Sequence, residues 1–424
     1  MFARLRVKSL IFAFCIGIVG LGENLRAIAP SVFVEKSPAQ TAYDVFWGEA
    51  AHELSAMLFY QQAFGDDLTY LDGSFLAYYQ TGRFNGVSGG LGLILAGPLL
   101  TIRGQSAETY DDVKQIFLLN SAFVDYKNDK LGLQAVAGRY KANEEWNTYY
   151  SQGFGVSYDI GQLASLNLTA SYGSAMVLNE YVTAFRSDLS SFGTYLMRAR
   201  FYLPYHIDLE PYVYATGYFT TFGMKTSIDY NFMPNLSAHT RLHIAGYSKY
   251  YPTILPVGLN HKFELAALAG RTNQNMSGIA WLEQGIKWYD LIEGKVGIIG
   301  VSGAGAELID YYGHNTPFEY NVGMFWSNAV SIYAASELNW NHIFEVEAGV
   351  RGTFMPNGNV VSFEVKGQAN FPIWRQRGAD GIYRTYMTGK VGISGIGVYN
   401  SSPAINFYGG NNYTLIRAFI RISI

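Results

Sequence analysis

Charged residues recur at every second position inside short apolar runs of this chain, and that spacing is the feature that could do chemistry. Arg198 and Arg200 interleave with Met197, Ala199 and Phe201, and Asp208 and Glu210 flank Leu209. Arg241 stands between His239 and His243 at the same spacing. Glu345, Glu347 and Arg351 interleave with Phe344, Val346, Ala348 and Val350, while Glu364 and Lys366 flank Val365. Arg417 and Arg421 alternate with Ile416, Ala418, Ile420 and Ile422. Residues two apart share one face of a strand, so each run sets a charged face against an apolar one. With Arg139, these basic and acidic steps are the candidate lining of a water-filled pore. Opposed rows of charge there would order water and bias passage toward ions of one sign or toward zwitterions. The plainer reading is that such charges solvate a wet wall and pair across neighbouring strands.

Other chemistries have less behind them. His206 lies near Asp208, as a hydrolase would need, but seven histidines in 424 residues make such pairs by chance and no flanking motif supports this one. His239 and His243 share a strand face and could chelate, yet no third metal ligand is evident. Gly300-Val-Ser-Gly-Ala-Gly305 fails the order of a dinucleotide loop and precedes no helix, so it reads as curved wall. The expectation is a protein without covalent catalysis, bound metal or cofactor.

The elements that must hold these charges are strands. Tyr413 to Ile424 alternates without a break, with isoleucines on one face and arginines on the other. A chain closing on so regular an amphipathic strand suggests a barrel whose last strand pairs with its first. Composition agrees: 33 Tyr, 27 Phe and 46 Gly accompany only 15% charged residues, where ordinary domains carry about 25%. Aromatic girdles and glycine-eased curvature are what transmembrane barrels use. Beyond the N-terminus there is no apolar run of the roughly 20 residues a spanning helix requires. At roughly 20–22 residues per strand and connection, the chain supports about 18 strands, with 16 to 20 inside the count. A barrel of that size leaves an aqueous channel. The fold class expected is therefore an all-β transmembrane antiparallel barrel; the competing fold is a soluble β-sandwich or solenoid with a wet outer face.

Residues 1–29 read as a signal peptide: Arg4, Arg6 and Lys8 precede an apolar run from Leu10 to Leu21, and Ala27-Ile28-Ala29 has the small-x-small form, although Pro30 follows it. The single cysteine, Cys15, lies within that run. Residues 30–51 form a short periplasmic or luminal lead, and 52–424 the barrel. Tyr205-His206 and Pro356-Asn357-Gly358 read as tight turns. Ala184–Ser191, Tyr250–Asn260, Asn273–Ser277 and Trp374–Gly381 read as outer loops or a constriction loop, and strand boundaries across Gly278–Tyr312 are unreadable. Gly294-Lys-Val-Gly-Ile298 recurs as Gly389-Lys-Val-Gly-Ile393, a match more consistent with two strands under similar constraints than with a repeat.

Ala137-Gly-Arg-Tyr140, then Tyr149-Tyr-Ser-Gln-Gly-Phe154, then Asn179-Glu180 occur in an order that resembles the outer-membrane family proteins of Helicobacter and its relatives, the Hof group. That group is more loosely similar to OprD-type porins, which implies 18 strands and a luminal ladder of basic residues. Ile424 departs from the aromatic last residue usual in such chains. The resemblance implies a porin-like channel in the outer membrane of a Gram-negative cell, passing small hydrophilic solutes or ions by diffusion. A non-conducting structural protein or surface adhesin is the alternative, weakened because no insertion clearly exceeds about 25 residues. The expected partners are outer-membrane lipid and lipopolysaccharide, periplasmic chaperones, the barrel assembly machinery and small hydrophilic solutes, in a monomer or homotrimer. The formal charge of −3 gives no reason to expect nucleic acid.

Overall fold

The computed structural model describes residues 50–64, 69–103, 117–142, 144–175, 177, 185–187, 192–250, 275–306, 308–309, 316–318, 323–377, 383–401 and 412–424. Among them, strands run in chain order as β1 (Ala51–Phe64), β2 (Thr69–Gln80), β3 (Val87–Arg103), β4 (Phe117–Asn128), β5 (Leu133–Lys141), β6 (Tyr150–Ile160), β7 (Ala164–Ala175), β8 (Arg186–Ser187), β9 (Thr194–Leu203), β10 (Ile207–Ala215), β11 (Phe219–Met233), β12 (Leu236–Lys249), β13 (Met276–Trp288), β14 (Ile292–Gly303), β15 (Val330–Trp340), β16 (Phe344–Met355), β17 (Gly358–Arg377), β18 (Tyr383–Asn400) and β19 (Asn412–Ser423). The two-residue β8 hangs on the end of β7, and β7 pairs onward with β9. The remaining eighteen strands pair antiparallel, each with its neighbour. β19 closes the ring on β1, with Gln61 opposite Arg417 and Met57 opposite Arg421. The soluble-sandwich reading falls here, because a closed ring has no edge strands and its apolar face points outward.

That outward face is visible residue by residue. Leu58, Ile244, Leu282, Ile298, Ile332, Val350, Phe363 and Ile420 are all exposed, while their strand neighbours Phe59, His243, Glu283, Ile299, Tyr333, Arg351 and Ser362 are buried inside. Exposed aliphatic side chains in such density belong to a wall facing hydrocarbon. No helix among the described residues is long and apolar enough to cross a membrane; the crossing is made by strands, which pair their backbone groups with those of their neighbours around the ring.

Short turns gather at one rim: 129–132, 161–163, 204–206, 234–235, 289–291 and 341–343. Two of them use consecutive left-handed residues, Tyr205 and His206 (φ 66° and 57°) and Asn341 and His342 (φ 51° and 57°), the twist that suits a tight hairpin. Pro356-Asn357 is a tight turn at the opposite rim, where most connections are long. In outer-membrane barrels short turns are periplasmic and long loops extracellular.

The two five-residue echoes do the same work. Gly297 lies opposite Tyr333 and Gly392 opposite Phe419, and in each case a methyl group on the glycine would overlap the facing ring. The lysine two residues earlier shares that inward face in both strands.

Several boundaries differ from expectation. Trp374–Gly381 is not all loop, because β17 continues to Arg377 across register shifts near Pro372 and Trp374. β13 begins at Met276, inside the expected Asn273–Ser277 loop, and the unreadable Gly278–Tyr312 contains most of β13 and all of β14. Glycine and mixed polarity had hidden the period there. Asn179-Glu180, most of Tyr250–Asn260 and residues 1–49 lie outside the described residues.

Candidate functional site

The lumen is narrowed by two connections that fold into it. The first joins β5 to β6. Gly138, with φ +120°, lies near the end of β5, and beyond it both faces of the hairpin are covered. Asn147 and Ser151 are buried and hydrogen-bonded on one side, while Tyr150 on the other packs against Ile94, Leu118 and Ala175. The tip, where Trp146 takes φ +61°, reaches past β7 and β9 to the wall made by β10 to β12. The second connection, between β14 and β15, buries Ala306, Ile309, Phe318, Met324 and Phe325. These join Trp146, Tyr212, Tyr214, Phe219, Tyr247 and Ile279 in one apolar cluster. Trp146 and Phe325 meet edge to face at 5.7 Å.

Two polar relays are built into this cluster. The Trp146 indole N–H donates to the Tyr212 hydroxyl at 2.8 Å, and that hydroxyl lies 2.7 Å from His243 Nε2. The Tyr212 hydroxyl thus joins the buried indole to the His243 ring. Nδ1 lies 3.8 Å from Glu145 Oε1, and Glu145 also takes Lys225 Nζ at 3.1 Å. In the second relay, Trp281 Nε1 donates to the Tyr333 hydroxyl at 2.8 Å, which donates to Glu283 Oε2 at 2.6 Å. Glu283 also lies 3.4 Å from Arg241 Nη1 and 3.8 Å from His239 Nε2.

The expected pore-lining residues divide into groups. Arg198, Arg200, Asp208 and Glu210 come together on β9 and β10: Arg200 reaches Asp208 at 2.6 Å and Glu210 at 3.3 Å, while Arg198 lies 3.8 Å from Glu210 and 3.2 Å from Glu144 of the inward hairpin. Burial pushes the Glu144 carboxyl above its usual range, with Arg198 only partly opposing the shift. On the far side of the ring, Arg417 donates to Gln61 at 2.9 Å, Arg421 pairs with Glu53 and lies 3.3 Å from Ser55, and Lys366 holds Glu347 at 3.0 Å. Glu345 accepts from Gln368 and from Asn370 at 2.9 Å. Glu364 shares the inward face between Ser362 and Lys366. Arg139 sits on the inward hairpin, donating to Gln152 at 2.9 Å and to the Leu119 carbonyl at 3.1 Å, with its guanidinium 4.4 Å from the Phe185 ring. Arg351 does not reach luminal water: it is 1% exposed, bonded to Ser362 and Thr353, with the Phe318 ring 5.8 Å from its guanidinium.

The family model described as "Putative outer membrane protein" matches residues 35–345. The chain belongs to that family. Solved structures carry the same fold. OpdK of Pseudomonas aeruginosa, crystallised with vanillate, superposes with a TM-score of 0.66 at 10% identity, covering 89% of this chain and 99% of that one. OccAB4 of Acinetobacter baumannii gives 0.62 at 10% identity, over 89% and 98%. Pseudomonas aeruginosa OprD gives 0.57 at 11% identity, over 89% and 96%. No curated protein matches the sequence. Family and fold together place this protein in the outer membrane.

Within this outer-membrane barrel the sequence pattern missed several residues. Glu283 fell in the stretch whose strands could not be read. Lys225 alternates inward with Gly223 and Ser227, a period-two signal diluted by small residues. Glu144, Glu145 and Trp146 sit between two clear strands, and only the pairing of two acids with a tryptophan in so short a connection set them apart. His239 and His243, expected at most as a weak chelating pair, turn instead to separate carboxylates. Among the described residues no cluster of three His, Cys, Asp or Glu is placed to hold a metal ion.

Proposed function

We propose that the protein is a porin-like channel for the passive diffusion of small hydrophilic solutes, with a modest preference for anions such as carboxylates. The carrying observation is how the wall charges are layered. Arg241 is 48% exposed while its partner Glu283 is 5% exposed, and Arg200 is 40% exposed over a Glu210 that is 8% exposed. In these two pairs the acid is recessed and holds a guanidinium group out into the lumen, so a solute passing them meets the cation first, whereas Glu347 beside Lys366 and Glu53 beside Arg421 are the more exposed partners. Vanillate, seen in OpdK, is itself a carboxylate. The layered charges support diffusion and selection; they offer no nucleophile with an activating base, and no covalent step is proposed. Insertion would draw on periplasmic chaperones and the barrel assembly machinery, in a monomer or homotrimer.

The test is single-channel recording of the refolded protein in a planar bilayer under a salt gradient. Discrete steps with an anion-leaning reversal potential are expected. A stably inserted barrel without conductance would overturn the channel in favour of a structural or adhesive protein. Reversing Arg198 and Arg200 together to Glu should move the potential toward cations, and an unchanged potential would remove those two from the path.

A further inference from the structure

We propose that the consecutive carboxylates Glu144 and Glu145, at the tip of the β5–β6 hairpin, are the specificity-determining residues of the constriction: by cancelling Arg198 and Lys225 they hold down the channel's anion preference. This rests on the channel reading above and goes beyond it by assigning the setting of charge selectivity to two residues of one connection.

The geometry gives each carboxylate its own wall cation. Glu144 lies 3.2 Å from Arg198 on β9, and Glu145 lies 3.1 Å from Lys225 on β11. The other groups facing them are accounted for. Glu144 also faces the Thr169 hydroxyl of β7, Glu210 of β10 and Tyr140 of β5. Glu145 also faces His243 of β12 and Tyr212 of β10. The cations Arg198 and Lys225 meet the three carboxylates Glu144, Glu145 and Glu210, so the local charge is −1 with Glu144 and Glu145 ionised and reverses to +1 when both are neutral. Removing their charge leaves Lys225 and Arg198 facing the path with Glu210 alone, and Glu210 is shared with Arg200.

The tip does not need those charges to stay in place. Trp146, fully buried, packs on Phe325 and His243 and donates to Tyr212. Charge and position are thus carried by adjacent but different side chains, which makes the two separable by substitution. Protonation would act in the same direction as substitution: the Glu144 carboxyl is held above its ordinary range by burial, so its charge is lost at milder acidity than that of a solvated glutamate.

The experiment compares reversal potentials of the wild-type channel and of E144Q/E145Q in a potassium chloride gradient at neutral pH. A unit charge about 8 Å from the path, screened at physiological salt, changes an ion's partitioning by about 1.4-fold. Two charges acting oppositely on anion and cation should raise the anion-to-cation permeability ratio about fourfold, read from the shift in reversal potential. E144Q and E145Q singly should each give about half that effect on a logarithmic scale, which keeps the test decisive should the double variant not insert. Lys225→Met should shift the ratio the other way. Acidification should raise the wild-type ratio, and E144Q/E145Q should lose most of that rise. Conducting variants with an unchanged reversal potential would overturn the assignment. A wild-type barrel that inserts without conducting would instead overturn the channel reading itself.

Discussion

Trp146→Ala tests whether the β5–β6 hairpin narrows the pore. The indole is 0% exposed, and burying an aromatic side chain removes about 150–250 Å² from water. At about 25 cal/mol per Å² that is about 4–6 kcal/mol. The hydrogen bond to Tyr212 adds about 1 kcal/mol. Truncations of this kind cost about 3–5 kcal/mol in folded cores. Of the two ion pairs at the tip, that of Glu145 with Lys225 is partly buried, and that of Glu144 with Arg198 adds no net hold, because burial disfavours the Glu144 charge by more than Arg198 restores. A loss of about 4 kcal/mol shifts the balance between docked and undocked tips about a thousandfold. The tip should therefore spend a measurable share of time away from the wall. In single-channel records, W146A should show a larger mean conductance and added open-channel noise. Trp146→Phe keeps the edge contact with Phe325 and loses only the Tyr212 bond, so it should stay close to wild type. A W146A barrel that keeps its heat-modifiable gel shift but has wild-type conductance and noise would refute the hairpin as the constriction.

Three further outcomes follow from the wall. Ile420→Arg places a charge on the hydrocarbon face of β19 and should cost about 2–4 kcal/mol, read as a lower urea midpoint in reversible unfolding from bilayers, whereas Arg417→Leu, pointing inward, should cost less. Gly297→Ala should destabilise by about 1–3 kcal/mol because the new methyl meets the Tyr333 ring, while Gly294→Ala, with nothing within 4 Å, should be near neutral; equal midpoints would refute the ring-over-glycine packing. For pH, the raised Glu144 carboxyl means that the docked state binds its proton more tightly than the undocked one, so docking is favoured below the ordinary glutamate pKa and that advantage fades as pH rises through the raised value. Open-channel noise should accordingly increase from mild acid to neutral pH in wild type and stay at its acid level in E144Q. An E144Q channel that follows the wild-type profile would refute this.

How much of this was legible in the residues follows from the range of each interaction. Alternation is local: Ile416 to Ile424 and Arg417 to Ser423 take opposite faces because successive side chains of a strand must. The barrel, the outward isoleucines, the inward arginines and the Tyr205-His206 turn were therefore readable from neighbours a few positions apart. Which inward charges meet was not. Arg417 finds Gln61 356 positions away, a contact that exists only once β19 closes on β1. Trp146 finds Tyr212 66 positions away, because the hairpin folds inward instead of outward. Arg351 carries the same alternation as Arg417 yet lies sealed beneath Phe318, since the β14–β15 connection happens to cover that part of the wall. Sequence determined which face each side chain takes; closure of the ring and the path of two loops through its interior decided which of those faces meets water, because both depend on free energy shared among residues far apart in the chain.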